Sequence, residues 1–355
     1  MAKLSNKIRI VTDEGQMVEA FHPVIVSASR STDIPAFYLD WFFERLKSGY
    51  SVWVNPFNGV PSYVSYADTR FVVFWSKNPR GLFSRLDKLE AKHIGCYVQY
   101  TLNDYEAEGL ERGVPPLDYR IDTFRMLVER LGVGGVVWRF DPMVLTNVIG
   151  VDDLLEKVKR IGDRLQGLTE KMVFSFADIS TYRKVAANLR RSGVNYLEWD
   201  EGLMREFASR LSQLNRDRGW NYRLATCSEK VDLQGYGIEH NRCIDDELII
   251  RRAYKDTTLM RYLGVEIHRQ GESLFDDDVQ PAGAISLPGG MYAVRSAVRK
   301  DSGQRSLCGC IDSKDIGQYN TCPHLCEYCY ANSSKDLAIA NYHRHCQESH
   351  KDSIL

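Results

Sequence analysis

The chain has 355 residues, of which 44% are hydrophobic and 26% are charged, so it can form one large globular domain or two modest ones. Its formal net charge of −1 argues against a broad nonspecific nucleic-acid surface. No stretch approaches the roughly 20 apolar residues of a membrane span, and no apolar segment follows the start of the chain. We therefore expect a cytoplasmic protein without a membrane partner.

Residues 1–21 predict a small N-terminal hairpin. Residues 7–20 alternate apolar and polar side chains about the turn Asp13-Glu14-Gly15, which is typical of two short antiparallel strands. No pattern in this segment indicates a function.

Residues 22–250 show short apolar runs, each followed by a polar or Pro/Gly break and usually by an amphipathic helix. This alternation predicts a parallel sheet buried on both faces, and seven runs predict an α/β fold with a full or partial (β/α) barrel of the TIM type. The connection 56–70 is a poor helix, because its middle reads as extended. The predicted strands are 24–29, 51–55, 71–76, 95–102, 135–140, 171–177 and 222–227; the predicted helices are 35–48, 80–92, 120–131, 151–166, 180–192 and 199–217.

Functional side chains of such a barrel lie at the carboxyl ends of its strands, where the connecting loops meet. Nearly every predicted strand ends in polar groups next to aromatic residues or Pro, including the segment 55–58 after the second strand. Asp33 can instead be an N-cap, and Arg139 with Asp141 can be a salt bridge of the scaffold. The candidates for binding a cofactor or an anionic substrate are Arg30, Lys77, Asn78, Gln99, Arg139, Asp141 and Glu229.

Residues 251–300 lose the strand-helix rhythm and predict an irregular closing unit of the barrel or an insertion. Loops, one of them at 276–278, surround short extended pieces at 284–287 and 291–294. The polar tail 336–355 predicts a solvated terminal helix. Adventitious metal ligands in this tail are His343, His345, Cys346 and His350.

Nine cysteines in a protein expected in the cytoplasm indicate metal ligands or reactive thiols rather than disulfides, because that compartment keeps thiols reduced. Cys96 lies inside a predicted strand and indicates a buried core thiol. Cys322, Cys326 and Cys329 have the spacing C-x-x-x-C-x-x-C, with Tyr328 before the last. Thiolates at this spacing can bind three irons of a 4Fe-4S cluster and leave the fourth iron without a protein ligand.

Two alternatives remain for these three cysteines. A zinc site would need a fourth ligand, which Cys308, Cys310 or His324 can provide. A core role would need an apolar context, which the polar neighbours do not give. Both metal hypotheses predict that residues 301–335 form a metal-binding segment, which holds an iron-sulfur cluster or zinc.

Four further cysteines allow a second metal centre. Four thiolates can bind every iron of a second 4Fe-4S cluster and leave no open position. The four cysteines available for this are Cys227, Cys243, Cys308 and Cys310. We hypothesise an auxiliary cluster that pins the C-terminal segment across the top of the barrel. The same four thiolates can also bind zinc or remain reduced thiols.

The three-cysteine motif with its aromatic residue resembles the cluster motif of radical SAM enzymes. Together with the segments 27–35, 55–58, 74–79 and 138–142, it also resembles the uncharacterised family called domain of unknown function eighteen forty-eight, over roughly residues 24–332. The resemblance implies that the open iron binds S-adenosylmethionine. A reductant such as a flavodoxin or ferredoxin would then deliver one electron, and a 5′-deoxyadenosyl radical would attack a small-molecule or other substrate in the barrel mouth.

Two other functions are compatible with the residues. A zinc or iron-sulfur protein that binds nucleic acid can stack bases on Trp53, Trp75 and Trp138, although these lie inside apolar runs and no basic stripe accompanies them. An electron-transfer or redox-sensing protein would hold a cluster without substrate chemistry. The residues do not specify a substrate, because fold and cofactor do not determine one.

Overall fold

The computed structural model describes residues 7–56, 58–227, 229–270, 280–296, 300–301, 303–304, 307–348 and 351–355. Its strands are β1 (Lys7–Val11), β2 (Met17–Phe21), β3 (Ile25–Ala28), β4 (Tyr50–Val54), β5 (Pro61–Ser65), β6 (Phe71–Ser76), β7 (Gly95–Thr101), β8 (Val136–Met143), β9 (Leu145–Thr146), β10 (Lys171–Phe176), β11 (Tyr196–Leu197), β12 (Arg223–Thr226), β13 (Ile238–His240), β14 (Val265–Arg269), β15 (Ile285–Leu287), β16 (Met291–Arg295) and β17 (Lys314–Asp315). Its α-helices are α1 (Ile34–Phe37), α2 (Leu39–Ser48), α3 (Leu86–Glu90), α4 (Leu117–Leu131), α5 (Val151–Leu165), α6 (Arg183–Arg191), α7 (Glu201–Asp217), α8 (Asp246–Ala253), α9 (Thr257–Leu263) and α10 (Lys335–Gln347). Short 3-10 helices lie at Pro79–Arg85, Gln234–Tyr236 and Pro288–Gly290.

The main sheet has eight strands in the order β13-β12-β10-β8-β7-β6-β3-β17. Every neighbouring pair in it is parallel, and helices separate most of the strands along the chain, so the predicted parallel α/β architecture is confirmed. The closed barrel is not found, because within the described residues no ladder joins β13 to β17. The segments that flank the two edges do meet, since the Ile311 amide before β17 donates to the Ile244 carbonyl after β13 at 3.2 Å.

One predicted barrel strand is wrong. The run 51–55 forms β4 of a second sheet, ordered β1-β2-β5-β4, and pairs antiparallel with β5. A turn in which the Asn55 amide donates to the Val60 carbonyl makes this unit a β-hairpin, so no helix crosses back to the main sheet. The described residues of the segment 55–58, namely Asn55, Pro56 and Asn58, consequently do not lie at a carboxyl end of the main sheet. The N-terminal strands β1 and β2 pair antiparallel, as their alternation predicts.

The two faces of the main sheet pack against different cores. On β6, Val72 and Phe74 belong to a first core that includes α1, α2 and α4–α7, whereas Phe71 and Val73 belong to a second core that includes α8, α9 and β14–β16. Arg252 of α8 donates from Nε to the Cys96 carbonyl at 3.0 Å, so α8 lies near the amino end of β7. Helix α8 therefore does not cover the carboxyl end of β7, where other segments can pack. Cys96 is buried, as predicted for a core thiol.

The C-terminal part of the chain is more ordered than its sequence indicates. Residues 251–300 contain α9 and a three-stranded antiparallel sheet in the order β14-β16-β15, and the loop at 276–278 lies outside the described residues. The predicted terminal helix is confirmed as α10, but it is not solvated on all sides, because Tyr342 packs edge-on against Phe37 at 5.5 Å. The Val52 amide also donates to the Asp352 carbonyl at 2.8 Å.

None of the helices within the described ranges has the length and the apolar character needed to cross a lipid bilayer.

Candidate metal centres

The loop that carries Cys322, Cys326 and Cys329, the rim thiols, lies at the carboxyl ends of β6 and β7. Lys77 directly follows β6, and its Nζ lies 3.0 Å from the Tyr328 hydroxyl. Asn103 follows β7, and its Nδ2 donates to the same hydroxyl at 3.0 Å. The motif spacing therefore forms a short loop whose central aromatic residue is fixed between two neighbouring strand ends.

A buried network of ion pairs around Glu111 holds the Tyr328 hydroxyl. The Tyr328 hydroxyl donates to Glu111, which also accepts from Lys77 Nζ at 2.6 Å and lies 3.8 Å from Arg120. Burial alone would raise the pKa of Glu111, but Lys77 and Arg120 hold this pKa at about 2. Sequence reasoning missed Glu111 and Arg120, because nothing local distinguishes an acid in the loop after β7 from a solvated one.

The rim thiols share one electrostatic environment. Burial raises the pKa of Cys322 well above its usual value, and Cys326 and Cys329 raise it further. Burial also raises the pKa values of Cys326 and Cys329, although the Lys77 cation lowers both. Because neighbouring sulfurs raise the pKa values of Cys322 and Cys326, deprotonating the rim thiols together requires added positive charge, which a metal centre supplies.

The fourth ligands that the sequence offers to the rim thiols are engaged elsewhere. Both ring nitrogens of His324 have partners, since Nε2 lies 2.7 Å from Asp33 Oδ2 and Nδ1 lies 3.0 Å from the Gly113 carbonyl. Asp33 also accepts from the Ala36 amide at 3.0 Å, which confirms it as an N-cap. Cys308 and Cys310 belong to a different group of sulfurs.

That second group consists of Cys227, Cys243, Cys308 and Cys310, which we call the interior thiols. The Sγ atoms of Cys227 and Cys243 are 3.3 Å apart. The Cys243 amide donates to Cys310 Sγ at 3.2 Å, and Cys308 lies two residues before Cys310. The structure thus brings together the four cysteines that the sequence proposed as one site, although they come from three separated segments.

The interior thiols face two guanidinium groups. Arg139 is 2% exposed and donates from Nη1 to Cys243 Sγ at 3.2 Å. Hydrogen bonds with Cys227 and Cys310, together with the charges of Arg139 and Arg30, hold the pKa of Cys243 well below its usual value. The hydrogen bond to Cys310 lowers the pKa of Cys308 to about 6. The same hydrogen bonds raise the pKa values of Cys227 and Cys310. Negative charge is therefore stabilised on Cys243 and Cys308, and their two partners stay protonated.

Other predicted binding residues lie at or near the carboxyl ends of β7, β8 and β12. Arg139 also donates to Asp141, which accepts from Ser175, so the pair is a salt bridge as well as part of the site. Gln99 donates to the Cys243 carbonyl at 2.8 Å and accepts from Arg139 at 3.3 Å. Glu229 accepts from the Phe176 amide at 2.9 Å.

Several buried polar atoms near these strand ends have no hydrogen-bond partner among the described residues. They include Nη2 of Arg30, Nε1 of Trp75 and Oδ1 of Asn78. The guanidiniums of Arg30 and Arg139 both lie over the Trp75 ring, 5.4 and 5.1 Å from its centroid. These two donors and one acceptor are therefore available to hydrogen-bond with water or with a bound polar group.

The tryptophans proposed for base stacking have different surroundings. Trp138 is fully buried and donates to the Leu102 carbonyl at 3.0 Å. Trp53 has Lys314 Nζ 3.8 Å from its ring centroid. Only Trp75 of the three lies next to the interior thiols, through its contacts with the two arginines.

Within the part of the chain that the structure describes, no three Cys, His, Asp or Glu side chains already converge as ligands of one metal ion. In the tail, His345 is buried and its Nδ1 lies 3.1 Å from the Ile354 carbonyl, Cys346 is exposed, and His350 falls outside the described residues. Adventitious metal binding in the tail stays a prediction.

A family model with the description "Domain of unknown function (DUF1848)" matches residues 25–331. The match covers the carboxyl ends of the main sheet and all seven sulfurs of the two groups. No curated protein and no solved structure matches the chain.

Proposed function

The chain belongs to the family of the domain of unknown function DUF1848, and we propose that it is an iron-sulfur enzyme that reductively cleaves S-adenosylmethionine at the rim thiols. In this proposal Cys322, Cys326 and Cys329 bind three irons of a 4Fe-4S cluster. The fourth iron binds the amino and carboxylate groups of S-adenosylmethionine, as in the radical SAM enzymes whose motif these cysteines resemble.

The observation that carries the proposal is a set of three sulfurs at the sheet's carboxyl ends whose nearest alternative ligands are occupied. Structural zinc sites are closed by four protein ligands, and thiolate sulfur suits either zinc or iron-sulfur clusters. His324 is held by Asp33 and Gly113, and Cys308 and Cys310 lie with the interior thiols. Three thiolates without a fourth fit a cluster with one open iron better than a closed zinc site.

Residues of the chain would position both cluster and cofactor. Lys77 and Glu111 hold Tyr328 and, through it, the loop between Cys326 and Cys329. The unpartnered N–H groups of Arg30 and Trp75 can donate to a carboxylate, and the unpartnered Oδ1 of Asn78 can accept from an ammonium group. These are the two charged groups of a methionine moiety.

Tyr330 limits access to this end of the sheet. Its hydroxyl donates to the Arg30 carbonyl at 2.8 Å, and its ring lies 6.0 Å from that of Tyr182. Tyr182 comes from the segment after β10, so Tyr330 extends between the ends of β3 and β10. An aromatic cover of this kind excludes water from reactive species.

When bound and reduced by one electron from a flavodoxin- or ferredoxin-type protein, the cluster would convert S-adenosylmethionine to methionine and a 5′-deoxyadenosyl radical, which abstracts hydrogen from a substrate. The chain's residues supply binding, orientation and exclusion of water.

The test is anaerobic reconstitution with iron and sulfide, followed by electron paramagnetic resonance of the dithionite-reduced protein with and without S-adenosylmethionine. We expect a 4Fe-4S signal that changes when S-adenosylmethionine is added, and production of 5′-deoxyadenosine. Cys326→Ala should lose the signal, whereas Cys346→Ala, at an exposed cysteine outside both groups, should keep it.

Two results would contradict the proposal. A colourless protein that holds zinc at the rim thiols would support a structural or nucleic-acid-binding site. A brown protein whose signal does not respond to S-adenosylmethionine would support electron transfer or redox sensing.

A further inference from the structure

We propose that the interior thiols bind one tetrahedral metal ion, zinc by the chemistry of its ligands, which fastens the two open edges of the main sheet to each other. This inference does not depend on the proposed reaction at the rim thiols. It concerns Cys227, Cys243, Cys308 and Cys310 alone.

The first argument is convergence. Cys227 directly follows β12, Cys243 follows β13, and Cys308 and Cys310 precede β17. The sulfurs of Cys227 and Cys243 are nevertheless 3.3 Å apart, and the Cys243 amide donates to Cys310 Sγ at 3.2 Å. Cys308 lies two residues before Cys310. Four thiols from three separated segments are the ligand set of a closed structural metal site.

The second argument is that N–H groups point at the sulfurs. The amides of Cys243 and Ile244 donate to Cys310 Sγ at 3.2 and 3.4 Å. Asn241 Nδ2 and Arg139 Nη1 donate to Cys243 Sγ at 3.1 and 3.2 Å. A neutral thiol is a weak acceptor, so four donors directed at two sulfurs fit the outer hydrogen bonds of metal-bound thiolates.

The third argument is spacing, which favours one ion over a cluster. Four thiolates at about 2.3 Å from a tetrahedral zinc lie about 3.8 Å from one another. The separation of 3.3 Å between Cys227 and Cys243 is near that value. A 4Fe-4S cube holds its thiolates farther apart, because each binds a different iron. Since no three ligands converge yet within the described residues, closure of the side chains around the ion accompanies binding.

The charges around the interior thiols are compatible with a bound metal ion. Binding Zn²⁺ to four thiols releases four protons and leaves a centre with a net charge of about −2. Arg139 donates to Cys243 and Arg30 acts electrostatically on Cys243, Cys308 and Cys310, so two guanidinium charges face the site. Arg139, which also pairs with Asp141, and Arg30 therefore offset part of the negative charge of the buried centre.

The location gives the ion its role. Within the described residues no strand ladder closes the main sheet between β13 and β17. The Ile311 amide donates to the Ile244 carbonyl between the flanking segments. Cys243 and Cys310 lie one residue from Ile244 and Ile311. An ion bound to both cysteines would hold the two edge segments together, as backbone hydrogen bonds hold neighbouring strands together elsewhere in the sheet.

The experiment measures zinc and iron per chain by inductively coupled plasma mass spectrometry on protein purified without oxygen, together with free thiols and the thermal unfolding midpoint. We expect about one zinc per wild-type chain. Cys243→Ser and Cys308→Ala should each lose the zinc and lower the unfolding midpoint while keeping the iron at the rim thiols. Cys322→Ala should lose the iron at the rim thiols and keep the zinc, and Cys346→Ala should keep both metals.

Three outcomes would overturn the inference: about four additional irons that are lost in Cys243→Ser, no metal with all four thiols free, or no metal with a disulfide between Cys227 and Cys243. If Cys243→Ser does not fold, Cys308→Ala and replacement of zinc by Co²⁺ in the wild type give the same decision, since cobalt bound by four thiolates has intense visible bands. A protein that keeps its zinc but produces no 5′-deoxyadenosine would contradict only the proposed reaction at the rim thiols.

Discussion

The rim thiols and the interior thiols differ in where their ligands come from and in what surrounds them. The rim thiols lie within one eight-residue loop, and Cys326 packs against the first core beside a Lys77–Glu111 ion pair. The interior thiols come from three segments and pack in the second core beside Arg30 and Arg139. A contiguous loop can present three ligands and leave a position open, whereas four ligands from separated segments tie those segments together.

The largest effect is expected from removing a cation of the interior group. Arg139→Met takes away the donor to Cys243 and leaves Asp141 without its ion-pair partner. Because it breaks a buried pair on one side, we expect a loss of about 3 to 5 kcal/mol in the free energy of unfolding. Denaturant titration measures the loss, and metal analysis should show less zinc with iron unchanged.

A matched control for this variant is Arg125→Met, whose ion pair with Asp122 is exposed and should be worth less than about 1 kcal/mol. Equal effects of the two substitutions would show that Arg139 is not a buried partner of the interior thiols.

The corresponding change in the rim group is Lys77→Met. It leaves Glu111 buried, with Arg120 at 3.8 Å as its remaining cation, so we expect a loss of about 3 kcal/mol. Iron at the rim thiols should fall while zinc stays. Lys159→Met, at an exposed lysine paired with Glu156, is the control. A loss of zinc in Lys77→Met would mean that the two groups are not independent.

The pH dependence of stability should also report on the rim group. Lys77 and Arg120 hold the pKa of Glu111 at about 2 in the folded protein, below its usual 4.5. The carboxylate therefore stabilises the fold above pH 4.5, and this contribution is lost as the pH falls from 4.5 towards 2. Between neutral pH and pH 3 its loss amounts to about 2 kcal/mol.

Unfolding titrations at pH 7, 5 and 3 measure this loss, with Glu111→Gln as the comparison. The variant should be less stable than the wild type at pH 7 and should lose about 2 kcal/mol less on acidification. Parallel pH profiles for the two proteins would contradict the assignment.

The smallest effect should come from the segment that joins the groups. A Cβ at Gly317 would lie 1.8 Å from Ser29 Oγ, so Gly317→Ala must displace β17 from β3. We expect a loss of about 1 to 2 kcal/mol and a decrease in both metals. Gly235→Ala, where a Cβ meets nothing within 4 Å, is the control. A decrease in one metal only would show that Gly317 does not couple the groups.

Most of the main sheet could be predicted from local sequence. Six of the seven predicted strands belong to it, because apolar runs such as Phe71–Ser76 are buried on both faces. The run that became β4 looks the same locally, and only its hairpin partner β5 distinguishes it. The edge strand β17 has two residues and no apolar pattern. Its position depends on Asp315, which accepts from Ser27 and from the Arg30 amide.

The site was predictable where chemistry follows residue type and spacing. All seven cysteines of the two groups were identified from the sequence, as was Lys77. The partners that hold them were not, because contacts such as Tyr328 with Glu111 join residues 217 positions apart. His324 was proposed as a zinc ligand, and only its two hydrogen bonds show that the ring is engaged.

The pairing of β17 with β3 also has a consequence for how the protein is made. Ser27 and Asp315, which are hydrogen-bonded, lie 288 residues apart in the chain. At 5 to 20 residues per second, a ribosome reaches Asp315 roughly 15 to 60 s after Ser27. Throughout that interval β3 lacks its outer neighbour and offers unpaired backbone groups to other nascent chains. Protection of that edge during translation, by slow release or by a chaperone, is therefore a requirement for good yields of this protein.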